Sequence, residues 1–413
     1  MRRVVVTGIG VITSLGTGVE KTWNALIEGK TGIDSIKGFD TTDFPSKVAG
    51  EVKDFNPEDY IDKKEIKKLA RYTQFSIAAA KMALDDSKLV IDDSNAERVG
   101  VIVSSGIGGL EILEEQHQKL LENGPKRISP FMIPAMIENM AAGNVSIYFG
   151  AKGLNKSVVT ACASGTHSVG DAFESIKMGR ADVIIAGGTE ACVTPLGTGG
   201  FCALKALATK FNDTPSKASR PFNADRDGFV MGEGAGVLIL EELEGAKARG
   251  AKIYAEIVGY GETGDAYHMT APAVGGEGAA RAIKMALAEA NADITEVDYI
   301  NAHGTSTPAN DKNETAAIKS VFGDYAYKLL VSSTKGATGH TLGAAGGIEA
   351  AFLALAIETG VVPPTINYET PDPECDLNYV PNAAVKRDIR VGLSTSLGFG
   401  GHNGVIAMRK YSK

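Results

Sequence analysis

Val-Val-Thr-Ala-Cys-Ala-Ser-Gly-Thr-His, residues 158–167, runs from β-branched residues through a cysteine into small ones. The pattern predicts a strand that delivers Cys162 to a helix over 165–178, with Ala163, Ser164 and Gly165 keeping the turn tight. A sulfur at a helix N-terminus faces unpaired N–H groups and the positive end of the helix dipole, which favour thiolate over thiol. The same N–H groups can hold an oxyanion while a carbonyl on that sulfur is attacked. Cys162 is therefore the candidate nucleophile, and covalent acyl transfer is the expected chemistry.

The stretch has an echo. Val-Ser-Ser-Thr-Lys-Gly-Ala-Thr-Gly-His, residues 331–340, places Lys335 on Cys162 and His340 on His167. Gly-Phe-Val-Met-Gly-Glu-Gly (228–234) likewise resembles Leu-Gly-Phe-Gly-Gly-His-Asn (397–403), each ahead of a terminal strand. Glycine-rich turns can look alike by chance, but duplication of one α/β unit is the simplest account of both echoes. The expected halves are 1–250, carrying the cysteine, and 251–413. In the first, strands are expected near 3–7, 99–104, 158–160, 182–187 and 235–241, with helices over 18–28, 62–86, 109–122 and 135–148. The second has strands near 252–259, 298–301, 329–332, 391–396 and 404–409, and helices near 277–291, 309–321 and 343–358. Such alternation implies a layered α/β fold with buried sheets. Thr17 with Glu20 reads as a capping box, and Gly29 as that helix's stop.

With 413 residues, 44% of them hydrophobic, the chain can bury the core of one large or two mid-sized domains. A net charge of −8 argues against nucleic acid as the main partner. Four scattered cysteines, 162, 192, 202 and 375, suit neither a disulfide framework nor a zinc cluster, and point to reduced thiols in the cytoplasm. The opening Met-Arg-Arg-Val-Val-Val imitates a signal peptide, but glycines at 8, 10 and 16 interrupt it and no small-residue cleavage site follows. No run approaches the roughly 20 apolar residues of a membrane span. A soluble cytoplasmic enzyme is the expected class.

Six histidines narrow the search for partners of Cys162. His117 lies in Glu-Glu-Gln-His-Gln-Lys, a solvated helix face. His167 follows Cys162 by one and a half turns, and packing inside its own helix accounts for it. His303 follows an apolar strand within Asn-Ala-His-Gly-Thr-Ser-Thr-Pro (301–308), and strand ends are where α/β enzymes place their chemistry. His340 closes Ser-Thr-Lys-Gly-Ala-Thr-Gly-His, the duplicated turn. Singly, each has an equal structural reading; beside a helix-start cysteine, they point to a site. The spacing lacks any C-x-x-C or H-x-x-x-H pair, so no metal is expected. Gly8-x-Gly10 has Thr at position 13 and no acidic ribose partner, so no dinucleotide is expected.

At these residues the chain closely resembles the β-ketoacyl-[acyl-carrier-protein] synthases of the thiolase-like superfamily, most of all the type II, elongating condensing enzymes. The resemblance spans essentially the whole chain. Its markers are Arg-Val-Val-Val-Thr-Gly (3–8), Thr-Ala-Cys-Ala-Ser-Gly (160–165) and Arg-Pro-Phe-Asn-Ala-Asp-Arg-Asp-Gly-Phe-Val-Met-Gly-Glu-Gly-Ala-Gly (220–236). To these add Asp-Ala-Tyr-His-Met-Thr-Ala-Pro (265–272), Asn-Ala-His-Gly-Thr-Ser-Thr (301–307), Lys-Gly-Ala-Thr-Gly-His (335–340) and Gly-Phe-Gly-Gly-His-Asn (398–403).

The resemblance implies a duplicated thiolase-like fold, layered α-β-α-β-α with two mixed sheets. It also implies decarboxylative condensation of malonyl-carrier protein with a Cys-bound acyl chain, as in fatty-acid biosynthesis. Cys162 would be the nucleophile, with the N–H groups of Cys162 and Phe399 as oxyanion hole. His303 and His340 would steady the enolate. Lys335 would act electrostatically or, alternatively, anchor a carboxylate such as Glu349. Thr305 and Thr307 would bind the phosphopantetheine arm or simply stabilise the turn before Pro308. Phe399, between Gly398 and Gly400, would gate the site, and Ile107 would line the acyl pocket or belong to the core.

No permanent cofactor is implied, because the phosphopantetheine arm arrives on the acyl carrier protein. Lys63, Lys64, Lys67, Lys68 and Arg71 recur at helical spacing, either as a solvated face or as a stripe steering an acidic carrier, with Lys126 and Arg127 adding to it. The apolar run 129–136 reads as a buried crossing or subunit contact, and members of the family are homodimers. His402 departs from members that carry Thr there. A degradative thiolase would need a second cysteine, for which only Cys375, in an exposed-looking loop, is placed late enough. A polyketide-type ketosynthase is the other alternative.

Overall fold

The computed structural model describes residues 1–412, and its main sheet reads the same from either end. The first half supplies β1 (Val4–Thr13), β2 (Val99–Ser104), β3 (Asn155–Lys156), β4 (Val183–Glu190) and β5 (Gly234–Glu242). The second supplies β6 (Ala255–Gly264), β7 (Val297–Asn301), β8 (Leu330–Ser332), β9 (Val391–Gly398) and β10 (His402–Arg409). Their order is β8-β7-β9-β10-β6-β1-β5-β4-β2-β3. Outward from the central β1–β6 pair, each half runs first, fifth, fourth, second, third. In both halves the inner pairings are antiparallel and the outer ones parallel. These are the two mixed sheets read from the sequence, joined by a short antiparallel seam from Val4↔Ile257 to Val6↔Ala255.

Helices complete the layers. α1 (Arg71–Ser87) and α2 (Met140–Phe149) cover the outer face of the first half. α3 (Ser164–Lys177) lies between the halves, while α4 (Glu277–Glu289) and α5 (Pro308–Phe322) cover the far face. The second central helix, α6 (Ala345–Thr359), touches strands of both halves, as α3 does. A helix between two sheets has no solvent face, so α6 is apolar all round but for Glu349, with Ala345 through Ile357 buried. Leu342–Thr359 has the length and mean hydropathy of a membrane span, but Glu349 and Glu358 interrupt it, as the sequence reading requires, and its window is 89% buried between the sheets. The central helices touch backbone to backbone, because a Cβ on Gly165 would meet Gly347 N at 2.6 Å and one on Gly346 would meet Thr166 N at 2.2 Å.

Several local expectations fail for identifiable reasons. The helix Val19–Ile27 has no capping box: Gly18 caps it at φ 104°, and the Thr17 hydroxyl turns to Asp54. The helix expected over 62–86 is two pieces, Lys63–Ile66 and α1. That over 135–148 is Met132–Met136 followed by α2. Residues 158–160 form no strand; pairing ends at Lys156 and a 3₁₀ turn, Ala161–Ala163, follows.

The first echo also changes register. Ala161 (φ 52°) and Leu342 (φ 48°) are both left-handed, and each opens a 3₁₀ turn that feeds a central helix. Cys162 therefore corresponds to Gly343, not to Lys335. Lys335 and His340 belong to a segment peculiar to the second half, built around the helical turn Lys335–Thr338.

Candidate active site

A left-handed alanine costs about 1–2 kcal/mol, so the Cys162 turn has to be held by its surroundings. Ser164 Oγ accepts from Thr160 N at 2.9 Å and donates to Ala161 O at 2.7 Å, while Ala163 N donates to Thr160 O at 3.1 Å. Cys162 is buried beneath it. Burial pushes the thiol up to about 12, against the downward pull of Lys335 and of the N–H groups of Phe399 and Cys162 itself. The helix-start argument favoured thiolate; desolvation outweighs it here, and the resting group is the thiol.

The second donor comes from the far end of the chain. Phe399-Gly400-Gly401 forms the tip of the β9–β10 hairpin, closed by Gly398 opposite His402. Gly400 and Gly401 have φ of 83° and 75°, a conformation that glycine adopts without strain. A Cβ on Gly398 would stand 2.7 Å from Thr160 O and 3.3 Å from Cys162 N. Glycine is thus what lets the hairpin bring Phe399 N–H beside Cys162 N–H, both turned on the same sulfur.

His303 follows β7, and Glu314 on α5 fixes its backbone by accepting from His303 N at 2.7 Å and Gly304 N at 2.8 Å. His340 meets it edge-on, ring centroids 5.2 Å apart. Leu342 N donates to His340 Nδ1 at 3.4 Å, which leaves the ring proton on Nε2. Burial first, and the Lys335 cation behind them second, hold both imidazoles well below the usual histidine range. Lys335 lies off the cavity wall and is ion-paired with buried Glu349, whose carboxyl burial pushes up to about 7 against the pull of Lys335. Asn301 Oδ1, His303 Nδ1, Glu349 Oε2 and Ser394 Oγ are buried without a hydrogen-bond partner.

Cys162, His303, His340, Thr305, Thr307 and Phe399 line one cavity of about 380 Å³. The two threonine hydroxyls are 2.9 Å apart. Arg226 holds their loop, donating to Thr307 O at 3.3 Å and Pro308 O at 3.1 Å, 3.5 Å from Asp311. Ile107 is not on this wall; it packs against the apolar cluster that contains Cys162, Cys192 and Leu342. Glu190 joins the loop after β2 to the turn before α6, accepting from Ser105 Oγ, Gly106 N and Gly343 N at 2.6, 2.9 and 3.0 Å. Glu314 on a helix, Glu190 at a strand end and Arg226 in a loop escaped the sequence reading because single charged residues carry no periodic signal.

Two expectations need correction. Arg71 does not continue the lysine stripe: the chain breaks between the two helices, and its guanidinium turns inward to Glu233 and Val52 O, each at 2.8 Å. Lys63, Lys64 and Lys67 are exposed and Lys68 is half-buried, with Lys63 paired to Glu58 and Lys68 to Glu65. Cys375 is not exposed but fully buried in a separate core with Phe222 and Tyr379, its thiol pushed up to about 11 by burial. Among the described residues, Cys162 is the one cysteine on the cavity wall. His117 is exposed, His167 is buried, and half-buried His402 lies edge-on to the His167 ring.

Residues 1–246 match the Beta-ketoacyl synthase, N-terminal domain, and 254–369 the Beta-ketoacyl synthase, C-terminal domain. Over 410 residues the chain is 54% identical to 3-oxoacyl-[acyl-carrier-protein] synthase 2 of Staphylococcus aureus, covering 99% of both chains. It is equally identical to the protein of that name from Synechocystis sp., covering 99% of this chain and 98% of the other. A solved complex of a type II PKS acyl-carrier protein with its ketosynthase, bound to the hexaketide, contains a chain that superposes with a TM-score of 0.93 at 40% identity, covering 99% and 100%. The ishigamide ketosynthase/chain length factor gives 0.92 at 40%, covering all of both chains. A thiol, two neutral imidazoles and a pair of convergent N–H groups on one wall agree with these likenesses: the chain belongs to the β-ketoacyl synthase family.

Proposed function

We propose that the chain is an elongating 3-oxoacyl-[acyl-carrier-protein] synthase of fatty-acid biosynthesis, a condensing acyltransferase that joins malonyl-carrier to an acyl chain on Cys162. The observation that carries this is the meeting of Cys162, His303, His340 and the N–H groups of Cys162 and Phe399 around one cavity. The Cys162 proton passes to a neutral imidazole as Sγ attacks the acyl thioester. The oxyanion rests on the two N–H groups, and the carrier thiol departs with the proton. Malonyl-carrier then loses carbon dioxide, and its enolate oxygen takes hydrogen bonds from the imidazoles. One such donor is worth about 3–4 kcal/mol of barrier. The enolate carbon attacks the acyl carbonyl, the sulfur leaves as thiolate and takes a proton from water to return to the thiol, and the 3-oxoacyl chain is two carbons longer.

The partner is the acyl carrier protein, whose phosphopantetheine arm brings the substrate between Thr305 and Thr307. Lys63, Lys64, Lys67 and Lys68, with exposed Lys126 and Arg127, form the cationic face that meets it. Phe131, Ile133 and Ile137 are 42%, 56% and 37% exposed, an apolar edge suited to a second copy of the chain. The enzyme is placed in the cytoplasm, and its two copied halves are 1–250 and 251–413, a division supported by the mirrored strand order. A polyketide ketosynthase is the second reading, favoured by the solved type II PKS ketosynthase at 40% identity; the 54% relatives favour fatty-acid elongation. Products extended repeatedly without reduction would select the polyketide reading. The test of the site itself is Cys162→Ala, which should abolish acyl transfer and leave malonyl-carrier decarboxylation running. Loss of both would overturn the division of roles, and so would normal decarboxylation in His303→Ala.

A further inference from the structure

The two donors of the oxyanion hole sit on elements from opposite halves, the turn before α3 and the tip of the β9–β10 hairpin. One side chain spans the gap between them. His167, on α3, is 4% exposed. Its Nδ1 lies 2.7 Å from Thr160 Oγ1, two residues before the nucleophile, and its Nε2 lies 3.3 Å from Asn403 O, just beyond the hairpin tip. A carbonyl only accepts, so Nε2 carries the hydrogen and Nδ1 accepts from the threonine hydroxyl. A single neutral tautomer satisfies both bonds, and burial favours the neutral ring.

The surroundings leave room for this ring and little else. A Cβ on Gly404 would stand 2.8 Å from its Cδ2 and 2.9 Å from its Nε2. Tyr260 and His402 close two other sides edge-on, with centroids at 6.2 and 6.4 Å.

We infer that His167 is a positioning residue that sets the spacing of the oxyanion hole, by tying the turn that carries Cys162 N–H to the hairpin that carries Phe399 N–H. The inference rests on the acyl-enzyme reading above. Oxyanion donors work only within about 2.7–3.1 Å of the developing charge, and a displacement of about 1 Å can cost a hundredfold in rate.

Three variants test it: His167→Phe fills the space without either bond, Thr160→Val removes one bond at constant shape, and Thr160→Ser restores the hydroxyl. Single-turnover acylation of Cys162 by acyl-carrier, malonyl-carrier decarboxylation and thermal unfolding are measured for each. Acylation should slow at least ~10-fold in the first two, with decarboxylation and KM for acyl-carrier near wild type, and Thr160→Ser should recover it. Acylation and decarboxylation falling together, or acylation unchanged, would overturn the inference. If His167→Phe does not fold, Thr160→Val decides. Acylation intact in Thr160→Val but lost in Cys162→Ala would remove this inference alone, whereas acylation surviving in Cys162→Ala would remove the acyl-enzyme reading itself.

Discussion

The turns at Ala161–Ala163 and Leu342–Ala344 share one backbone and divide the work. Each opens with a left-handed residue and launches a central helix. At the equivalent middle position, one presents a cysteine to the cavity. The other presents a glycine whose place a Cβ could not take, because it would stand 2.2 Å from Gly106 N. On the proposed function, one copy carries chemistry and the other close packing. A duplicated scaffold with that function needs only one reactive residue at its symmetric point, and the freed position lets the halves approach until Glu190 of the first can accept from Gly343 N of the second.

Exchanging the roles is the sharpest way to break this comparison. Cys162→Ala should lower condensation by about 10⁴-fold or more while the melting temperature barely moves. Gly343→Ala should instead cost stability, about 1–3 kcal/mol or more, read as a lower denaturation midpoint. A stable Gly343→Ala protein would end the claim that this copy is devoted to packing.

Glu190 ties Gly343 to Gly106 across the halves, and burial pushes its carboxyl up to about 7 from an ordinary 4.5. The folded state therefore holds this proton more tightly than the unfolded one. Its stabilisation is full below pH 4.5 and is lost as pH rises through about 7. Against Glu190→Gln, wild type should lose about 3 kcal/mol across that window. Parallel unfolding curves at all pH values would contradict the buried, protonated bridge.

The thiol gives a third test. With Cys162 at about 12, alkylation by iodoacetamide should rise about tenfold per pH unit from 6 to 9, without levelling. A plateau near neutrality would restore the helix-start argument and put the thiolate in the resting enzyme. The smallest effect concerns what the halves show a partner. Lysines 63, 64, 67 and 68 precede α1, whereas residues 265–276, ahead of its counterpart α4, contain no lysine or arginine. Lys67→Glu should raise KM for acyl-carrier roughly threefold at low salt, fading as salt screens it; an unchanged KM would clear this face of a docking role.

Much of the fold was legible because burial leaves a composition. Strand-rich runs alternated with helical ones, and α6 is apolar because both of its faces are covered. His303 could be singled out because it follows an apolar strand. The failures share a cause. Arg71 looked like the next step of a stripe, yet its direction depends on a break between two helices and on Glu233, distant in sequence. Cys375 sits in a polar-looking loop that the fold closes over. The echo was pairing glycine-rich turns by resemblance, while equivalence rests on backbone angles that residue names do not carry.

Residue chemistry alone singled out Cys162 as the candidate nucleophile, the histidine contexts and the layered α/β plan, because these depend on local type and spacing. Tertiary structure decided the rest: that the Phe399 N–H, expected only through the family resemblance, stands beside that of Cys162, that burial raises the thiol, and that burial lowers both imidazoles. Those properties arise from desolvation and from contacts such as Gly398 on Cys162 and Lys335 behind the histidines, between groups far apart in the chain. No local pattern of residues encodes a distance of that kind.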